Sequence, residues 1–229
     1  KLRTDLVEVL CLHLNRIHGT EYSIKQWQIL IEGWLRVFLN IYFNRLETLR
    51  QCMRQNNIES VAFIDKDEFV LSTQNTSAFQ LACNDPTWNT HFFERLWRYS
   101  GLGGDKVIWV QSNQETEFKF DFKPPKDGIF WRLLSGISRK INKTATTVVV
   151  NPYLPKWLQV AAPLYNFQFP QVWPKKRPIY SSEHDQPLRE ELLASLKGND
   201  VFDAEIMMAE ILVEAMPRCY LESFKTIKE

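Results

Sequence analysis

The stretch SIKQWQILIEGWLRVFLNIYFNRLETLR, residues 23–50, decides how the amino-terminal part of the chain folds. Large apolar side chains recur in it every three or four positions: Trp27, Ile31, Trp34, Phe38 and Ile41. Together with Tyr42 they cover more than half the circumference of a helix. The pattern predicts a helix over 24–50 that is buried on more than one side, with the hydroxyl of Ser23 capping its first turn.

Arg45 lies within the apolar stripe of this predicted helix. A buried guanidinium needs a partner carboxylate, a set of carbonyl groups or an anionic ligand. We expect Arg45 to be structural and paired with an acidic residue such as Glu222 or Asp5. The alternative is that the side chain extends along the apolar surface and places its charge in water.

Three short apolar runs follow the long helix and set the fold class: 61–64, 107–110 and 148–150. Such runs are typical of strands buried on both faces of a parallel sheet, and helical patterns between them, such as 129–141, complete βαβ units. We therefore expect an α/β fold with a Rossmann-like parallel sheet. A single domain over 1–229 is predicted, with a helical N-terminal layer at about 1–56 and an α/β body at about 57–229.

The composition argues against several classes of protein. The formal net charge is +1, whereas proteins that bind nucleic acid normally carry a basic excess, so no nucleic-acid partner is expected. The sequence has no apolar run of about 20 residues and no signal-peptide pattern, which favours a cytoplasmic protein with at most peripheral contact with the inner membrane. Its four cysteines form no metal-ligand pattern. We expect no metal, no resident cofactor, and buried, reduced thiols.

Ligands of parallel α/β proteins bind beyond the carboxyl ends of the strands. In this chain those positions are Asp65, 111–113 and 151–153. The second and third are polar and uncharged, as suits a hydroxylated ligand, so Asn151 and Tyr153 are candidate substrate-binding residues. The alternative is that these segments merely lead away from a strand.

Residues in and before the long helix resemble the N-terminal signature of transferases encoded in O-antigen and other surface-polysaccharide gene clusters. The signature runs roughly LNxxHGxxxSxRYWxILIGPWL, and this chain follows it in order with LNRIHG at 14–19, Ser23, WQILI at 27–31 and GWL at 33–35. Glu32 and Gly33 depart from it, because the family tends to have Gly and Pro there.

Two later segments are similar to the same family. They are LYNFQFPQVW at 164–173 and the group Pro217, Tyr220, Leu221 and Glu222, although Ser223 stands where the family tends to have Gly. The resemblance implies the N-terminal half of a GT-B-type glycosyltransferase, which shapes the acceptor side of a cleft. A nucleotide-sugar donor is then held mainly by a missing C-terminal half with a QHGG-like stretch, and this chain alone is expected to be inactive. The partners implied are that half and a sugar or glycolipid acceptor.

The resemblance also implies site residues, carried over by motif match: Asn15, His18, Ser23, Trp27, Arg45 and Glu222. His18 is the candidate catalytic residue, as a general base or as a hydrogen-bond donor to phosphate, and is expected to face the interdomain cleft. The alternative for His18 is a loop histidine bonded to a helix end. Of the other residues, all except Arg45 are implied to bind substrate.

Two function hypotheses follow. The first is the acceptor-side domain of a sugar transferase in bacterial surface-polysaccharide biosynthesis. The alternative is a non-catalytic α/β domain that docks another subunit through the Trp-rich helix 24–50. A reading frame that continues into the QHGG-like stretch favours the first hypothesis, and a stop codon after Glu229 favours the second.

Overall fold

The computed structural model describes residues 2–56, 58–65, 69–100, 107–111, 165, 182–197 and 206–224. The chain divides into two compact units, 1–120 with 180–229, and 121–179. All helices and strands described below belong to the first unit, and Tyr165, which is exposed, is the described residue of the second. The predictions for Asn151, Tyr153, the run 148–150 and the helix 129–141 lie outside the described residues. The single domain over 1–229 stays a prediction.

The two predicted N-terminal helices are confirmed: α1 spans Leu2–His18 and α2 spans Ile24–Gln55. Ser23 begins α2 with a capping box, in which its hydroxyl accepts from the backbone N–H of Gln26 while the Gln26 side chain accepts from the Ser23 backbone. With 32 residues, α2 is roughly 48 Å long.

The apolar stripe of α2 forms the centre of the core. Its members Trp27, Ile31, Trp34 and Phe38 are all 0% exposed. The helix contacts α1 and two helices introduced below, which cover it on more than one side, as predicted. Because both tryptophans pack inside their own chain, they are not available to another subunit, which argues against docking through them. Docking of another subunit through the rest of helix 24–50 stays a prediction.

Two parallel strands confirm the predicted strand positions. β1 spans Val61–Asp65 and β2 spans Val107–Gln111, and Val61 pairs with Val107 while Asp65 pairs with Gln111. The predicted burial on both faces is wrong, since Phe63 is the buried residue of this strand pair. Ile108, Trp109 and Val110 are about half exposed, at 53%, 50% and 48%.

Four further helices complete the described part of the chain: α3 at Thr76–Ala82, α4 at Pro86–Ser100, α5 at Gln186–Lys197 and α6 at Ile206–Ala215, followed by a 3-10 turn at Arg218–Tyr220. Asn75 caps α3 and Asp85 caps α4, each accepting a hydrogen bond from a backbone N–H three residues on. α3 and α4 contact α2, α4 also contacts β1 and α6, and α5 contacts α1 and α6.

The described part is therefore a mixed α/β structure, mostly helical, with a small parallel sheet of two strands. This confirms the α/β class and the helical N-terminal layer at the level of the elements that the structure describes. Within those same residues, none of the helices combines the length and the apolar character that crossing a membrane requires.

Candidate functional site

Asn15 is the centre of a hydrogen-bonded clamp that closes the loop between α1 and α2. Its Oδ1 accepts from the Thr20 hydroxyl at 2.8 Å, the Tyr22 backbone N–H at 3.0 Å and the Trp27 indole N–H at 2.8 Å. Its Nδ2 donates to the Tyr22 carbonyl oxygen at 2.8 Å. The amide is thus fully used inside the chain, so the geometry gives Asn15 and Trp27 a structural role rather than the implied contact with substrate.

Gly19 lets the chain leave α1 in the direction that this clamp requires. Its φ is +61°, a left-handed conformation that glycine adopts without strain. The Gly19 N–H bonds to the Arg16 carbonyl and the Thr20 N–H bonds to the Asn15 carbonyl, which is the Schellman pattern that ends a helix. The segment that carries the family resemblance therefore encodes a helix end and a loop.

His18 lies inside the first compact unit and not at an open surface. The residue is 7% exposed, its Nε2 is 3.0 Å from the Tyr220 carbonyl oxygen, and its ring stacks on Phe224 with centroids 4.5 Å apart. Trp27 lies on the same stack, 4.9 Å from Phe224. The ring joins α1 to the segment after α6, which corresponds to the structural alternative. A catalytic role for His18 remains a prediction, and the burial of the ring argues against it.

Arg45 is structural, as predicted, but the predicted carboxylate partner is wrong. Its Nε donates to the Asn89 side-chain oxygen at 2.8 Å and its Nη2 donates to the Cys83 carbonyl oxygen at 3.0 Å. Burial lowers the pKa of the guanidinium. Neutral oxygens at the end of α3 and on α4 thus take the place that we assigned to Glu222 or Asp5. Ser23, implied as a substrate contact, acts as the α2 cap.

Glu222 forms a buried ion pair with Arg189 of α5. The Arg189 Nε lies 2.7 Å from Glu222 Oε1 and its Nη2 lies 3.0 Å from Oε2, with 3% and 4% of the two side chains exposed. Arg189 also donates to the carbonyl oxygens of Val213 and Met216. Because both carboxylate oxygens are occupied, the geometry favours a structural role for Glu222 over the implied substrate contact.

A charged cleft lies at the carboxyl end of β1, where Asp65 and Gln111 stand side by side in the parallel register. The cleft has a volume of about 460 Å³, within the range of roughly 300–1,000 Å³ usual for ligand sites. The residues that line it come from both strands and from α4: Ile64, Asp65, His91, Glu94, Arg95, Arg98 and Trp109. The position is the one predicted for a ligand in a parallel α/β protein.

A network of ion pairs orders the floor of the cleft. The Glu94 side chain, 4% exposed, contacts the guanidinium groups of both Arg95 and Arg98. Arg95 also bonds to Glu214 of α6, with its Nε 2.8 Å from Oε2, and Tyr99 donates to the other Glu214 oxygen at 2.7 Å. Two arginines and two glutamates thereby hold one another in fixed positions before any ligand arrives.

The protonation states in this network follow from burial and from neighbouring charges. Burial lowers the pKa of Arg95, but the carboxylates of Glu214 and Glu94 outweigh burial and the net shift is upward. Burial raises the pKa of Tyr99, and the hydrogen bond to Glu214 raises it further. Arg95 is therefore charged and Tyr99 neutral near neutral pH.

Three groups of the cleft remain accessible to a ligand. Asp65 is exposed, the Arg98 side chain is 57% exposed, and Trp109 is 50% exposed. A carboxylate accepts hydrogen bonds from hydroxyl groups, a guanidinium binds phosphate or carboxylate, and an indole face packs against apolar C–H surfaces. The arrangement is able to hold a ligand that is both hydroxylated and anionic.

Sequence reasoning placed Asp65 at the end of a strand without naming it a site residue, and it missed the α4 contribution to the cleft. The missed signal is the spacing of His91, Glu94, Arg95 and Arg98, three or four residues apart on one face of a helix that contacts β1. His91 is 2% exposed, and its ring lies parallel to that of Phe69 at a centroid distance of 3.9 Å. Within the described ranges no three His, Cys, Asp or Glu side chains are grouped as a metal site would require.

Fold and cleft together define a mostly helical α/β protein whose candidate ligand site lies beyond a parallel strand pair. The chain matches the model of the LIC12162 family transferases over residues 1–229 and belongs to that family. No curated protein and no solved structure is significantly similar to it. The transferase class that the resemblance implied is thereby confirmed.

Proposed function

We propose that this chain is the acceptor-side domain of a sugar transferase in bacterial surface-polysaccharide biosynthesis. The observation that carries the proposal is membership of a transferase family over residues 1–229. The cleft at the carboxyl end of β1 supplies a place where a substrate fits. On this proposal the chain forms the N-terminal half of a GT-B-type enzyme, with the nucleotide-sugar donor held mainly by the other half.

Each accessible group of the cleft has a role in this proposal. The half-exposed face of Trp109 packs against the C–H face of a sugar ring. The Asp65 carboxylate accepts a hydrogen bond from an acceptor hydroxyl and so orients it. Arg98, held by Glu94, binds a phosphate of a glycolipid acceptor. In this proposal the three cleft groups make the substrate contacts, because the side chains of Asn15, Ser23, Trp27 and Glu222 are bonded within the chain. A catalytic role for His18 stays a prediction.

The test uses the complete protein that contains this chain, with transfer from a panel of nucleotide sugars to a polyprenyl-phosphate-linked sugar. We expect Asp65→Asn, Arg98→Gln and Trp109→Ala each to raise the acceptor KM by roughly tenfold or more, since each removes one contact worth about 1.4 kcal/mol. The KM for the donor should change little, because the donor is held elsewhere.

Arg50→Gln is the matched control, since it removes the same charge from an exposed position on α2. It should leave both KM values unchanged. Normal acceptor KM values in all three cleft variants would place the acceptor outside this cleft. A rise in the donor KM with no change in the acceptor KM would mean that this chain binds the donor and the other half binds the acceptor.

A further inference from the structure

A second polar cluster lies away from the cleft, where residues 72–74 run beside residues 218–219. The Arg218 backbone N–H bonds to the Thr73 carbonyl oxygen at 2.8 Å, and the Cys219 N–H bonds to the Gln74 carbonyl oxygen at 3.1 Å. These two bonds fix the backbone at Arg218, so its side chain starts from a rigid position. The cluster takes its other members from the segment before α5.

Arg218 is a partly buried cation with neutral partners. Its Nε donates to the Ser72 hydroxyl at 3.2 Å and its Nη1 donates to the Ser182 carbonyl oxygen at 2.9 Å. Its Nη2 has no acceptor within the part of the chain that the structure describes, and no described carboxylate forms an ion pair with the guanidinium. A cation in this position is stabilised by an anion that reaches it.

His184 and Ser72 extend the same cluster. The His184 Nδ1 is 3.2 Å from the Ser72 hydroxyl, and its Nε2 is 3.1 Å from the Gln186 side-chain oxygen. The Ser72 hydroxyl therefore stands between the Arg218 guanidinium and the His184 ring. A hydroxyl in this position is able to turn its proton toward an incoming oxygen.

The hydroxyl of Ser182 is a second, independent observation that points to a ligand. Its Oγ is buried and has no hydrogen-bond partner among the residues that the structure covers. A buried hydroxyl without a partner costs about 1–3 kcal/mol, which a bound acceptor atom removes. The same residue contacts Arg218 through its carbonyl group, so hydroxyl and guanidinium belong to one site.

The buried and partly buried charges around the cluster, those of Arg189, Arg218 and Glu222, sum to +1, while Glu183 and Asp185 on either side of His184 are exposed. Glu222 lies 3.9 Å from the His184 Nδ1, but both of its oxygens are bonded to Arg189, which neutralises it. Arg218 has no carboxylate in ion-pair contact among the described residues. Burial lowers the pKa of Arg218, the charge of Glu222 opposes this shift, and the charge of Arg189 adds to it.

We propose that Arg218, Ser72, Ser182 and His184 form a binding site for a phosphoryl-type anion. This site is separate from the cleft at β1, and it does not depend on the sugar-transferase proposal. The guanidinium supplies charge and its Nη2, which has no acceptor among the described residues, while the hydroxyl groups of Ser72 and Ser182 donate further hydrogen bonds. The His184 ring orients the Ser72 hydroxyl. Inorganic phosphate and the phosphate of a sugar phosphate share this chemistry.

The experiment measures binding to the full chain by calorimetry, with inorganic phosphate in one series and a hexose 1-phosphate in the other. Both are titrated at low ionic strength, with neutral sugar as the blank. We expect binding of at least one anion, weakened roughly tenfold by Arg218→Gln, which corresponds to about 1.4 kcal/mol. Ser182→Ala should weaken it several-fold without loss of stability. Tighter binding of the sugar phosphate identifies a substrate-like ligand, and equal binding identifies free phosphate.

Arg50→Gln on the exposed face of α2 is again the matched control and should leave the affinity unchanged. Circular dichroism shows whether each variant is folded. If Arg218→Gln does not fold, Ser182→Ala decides alone, because a purely structural Arg218 predicts no effect of that change on binding. The proposal is overturned by the absence of binding for both anions, or by an affinity that Ser182→Ala leaves unchanged.

Discussion

Asn15 shows how one side chain connects the sequence signature to the fold. Its single Oδ1 atom accepts from a hydroxyl, a backbone N–H and an indole N–H, and these donors lie in the α1–α2 loop and on α2. No other uncharged side chain of this length carries both an amide oxygen that accepts and an amide N–H that donates. The spacing between Asn15 and Trp27 therefore follows from the reach of this clamp.

We predict that Asn15→Ala lowers the free energy of unfolding by roughly 3 kcal/mol, because it leaves the Trp27 indole N–H and the Tyr22 backbone N–H without their acceptor. Urea unfolding monitored by tryptophan fluorescence measures the change. Asn44→Ala, on the exposed surface of α2, is the control and should stay within about 0.5 kcal/mol of the parent. Equal effects of the two changes would show that the clamp contributes nothing.

The cysteines separate into one exposed thiol and three that are protected. Cys52 is exposed, whereas burial raises the pKa of Cys83 to about 11 and that of Cys219 to about 12, and also raises the pKa of Cys11. The expectation of buried thiols is thus wrong for Cys52. Because the thiolate is the reactive form, the other three are protonated and slow at pH 8.

We predict that Ellman's reagent at pH 8 labels one thiol per native chain in a fast phase. Cys52→Ser should remove that phase, and Cys219→Ser should leave it intact. Addition of denaturant should release all four thiols, which supplies the reference amplitude. A fast phase that survives Cys52→Ser would mean that a thiol with a raised pKa is accessible after all.

At the scale of elements, α2 was predictable because a single helix buries its own repeating pattern. The apolar spacing alone predicts its length, its buried faces and its cap at Ser23, and the structure agrees within a few residues. The partners of Arg45 were not predictable, since they are a carbonyl oxygen at the end of α3 and a side chain of α4, and α3 has only seven residues. A helix of that length leaves too short a pattern to recognise.

The part of the cleft formed by the end of β1 was predictable for a similar reason, whereas the part formed by α4 was not. The end of β1 follows from a local run of apolar residues, so the position of Asp65 was predicted, although Asp65 was not among the predicted site residues. The contribution of α4 depends on which face that helix turns toward β1, and a tertiary contact decides this. His91 and Arg98 were therefore missed, although their spacing on α4 is visible in the sequence. The roles implied for His18 and Glu222 rest on motif order, which carries no information on burial, and the burial of both side chains argues against them.

Trp34 provides a test of the α2 core at this scale. It is 0% exposed and packs against Phe38, Phe79 and Tyr220, and its indole N–H has no acceptor among the described residues. We predict that Trp34→Ala lowers the free energy of unfolding by roughly 3–5 kcal/mol. Trp34→Phe should cost less than half as much, because it also removes the unpartnered N–H.

Denaturant unfolding of both Trp34 variants, followed by far-ultraviolet circular dichroism, gives these two values. A Trp34→Ala protein that unfolds within about 0.5 kcal/mol of the parent would contradict the burial of this face. A larger loss for the phenylalanine variant than for the alanine variant would show that the indole N–H has an acceptor.

For the molecule as a whole, the residues that stabilise the fold and those that face the cleft are largely different. The side chains of Trp34 and Arg189 are buried and that of Asn15 is bonded within the chain, while Asp65 is exposed and Trp109 is half exposed at the sheet edge. Glu214 does not line the cleft, but it connects the two groups. It lies on α6 and bonds to Arg95 and Tyr99 on α4, which are more than a hundred residues earlier in the chain.

We predict that Glu214→Gln lowers the free energy of unfolding by about 2–4 kcal/mol, because it leaves the partly buried Arg95 with Glu94 as its carboxylate partner. Asp65→Asn should change it by less than about 0.5 kcal/mol, since Asp65 is exposed. In the complete protein we expect both changes to raise the acceptor KM, the first by displacing Arg95 and the second by removing a direct contact. Thermal and urea unfolding, measured beside the transfer assay, separate the two effects. If Glu214→Gln costs no stability, the ion-pair network does not stabilise the fold. If it costs stability while the acceptor KM stays normal, the network does not position the cleft residues.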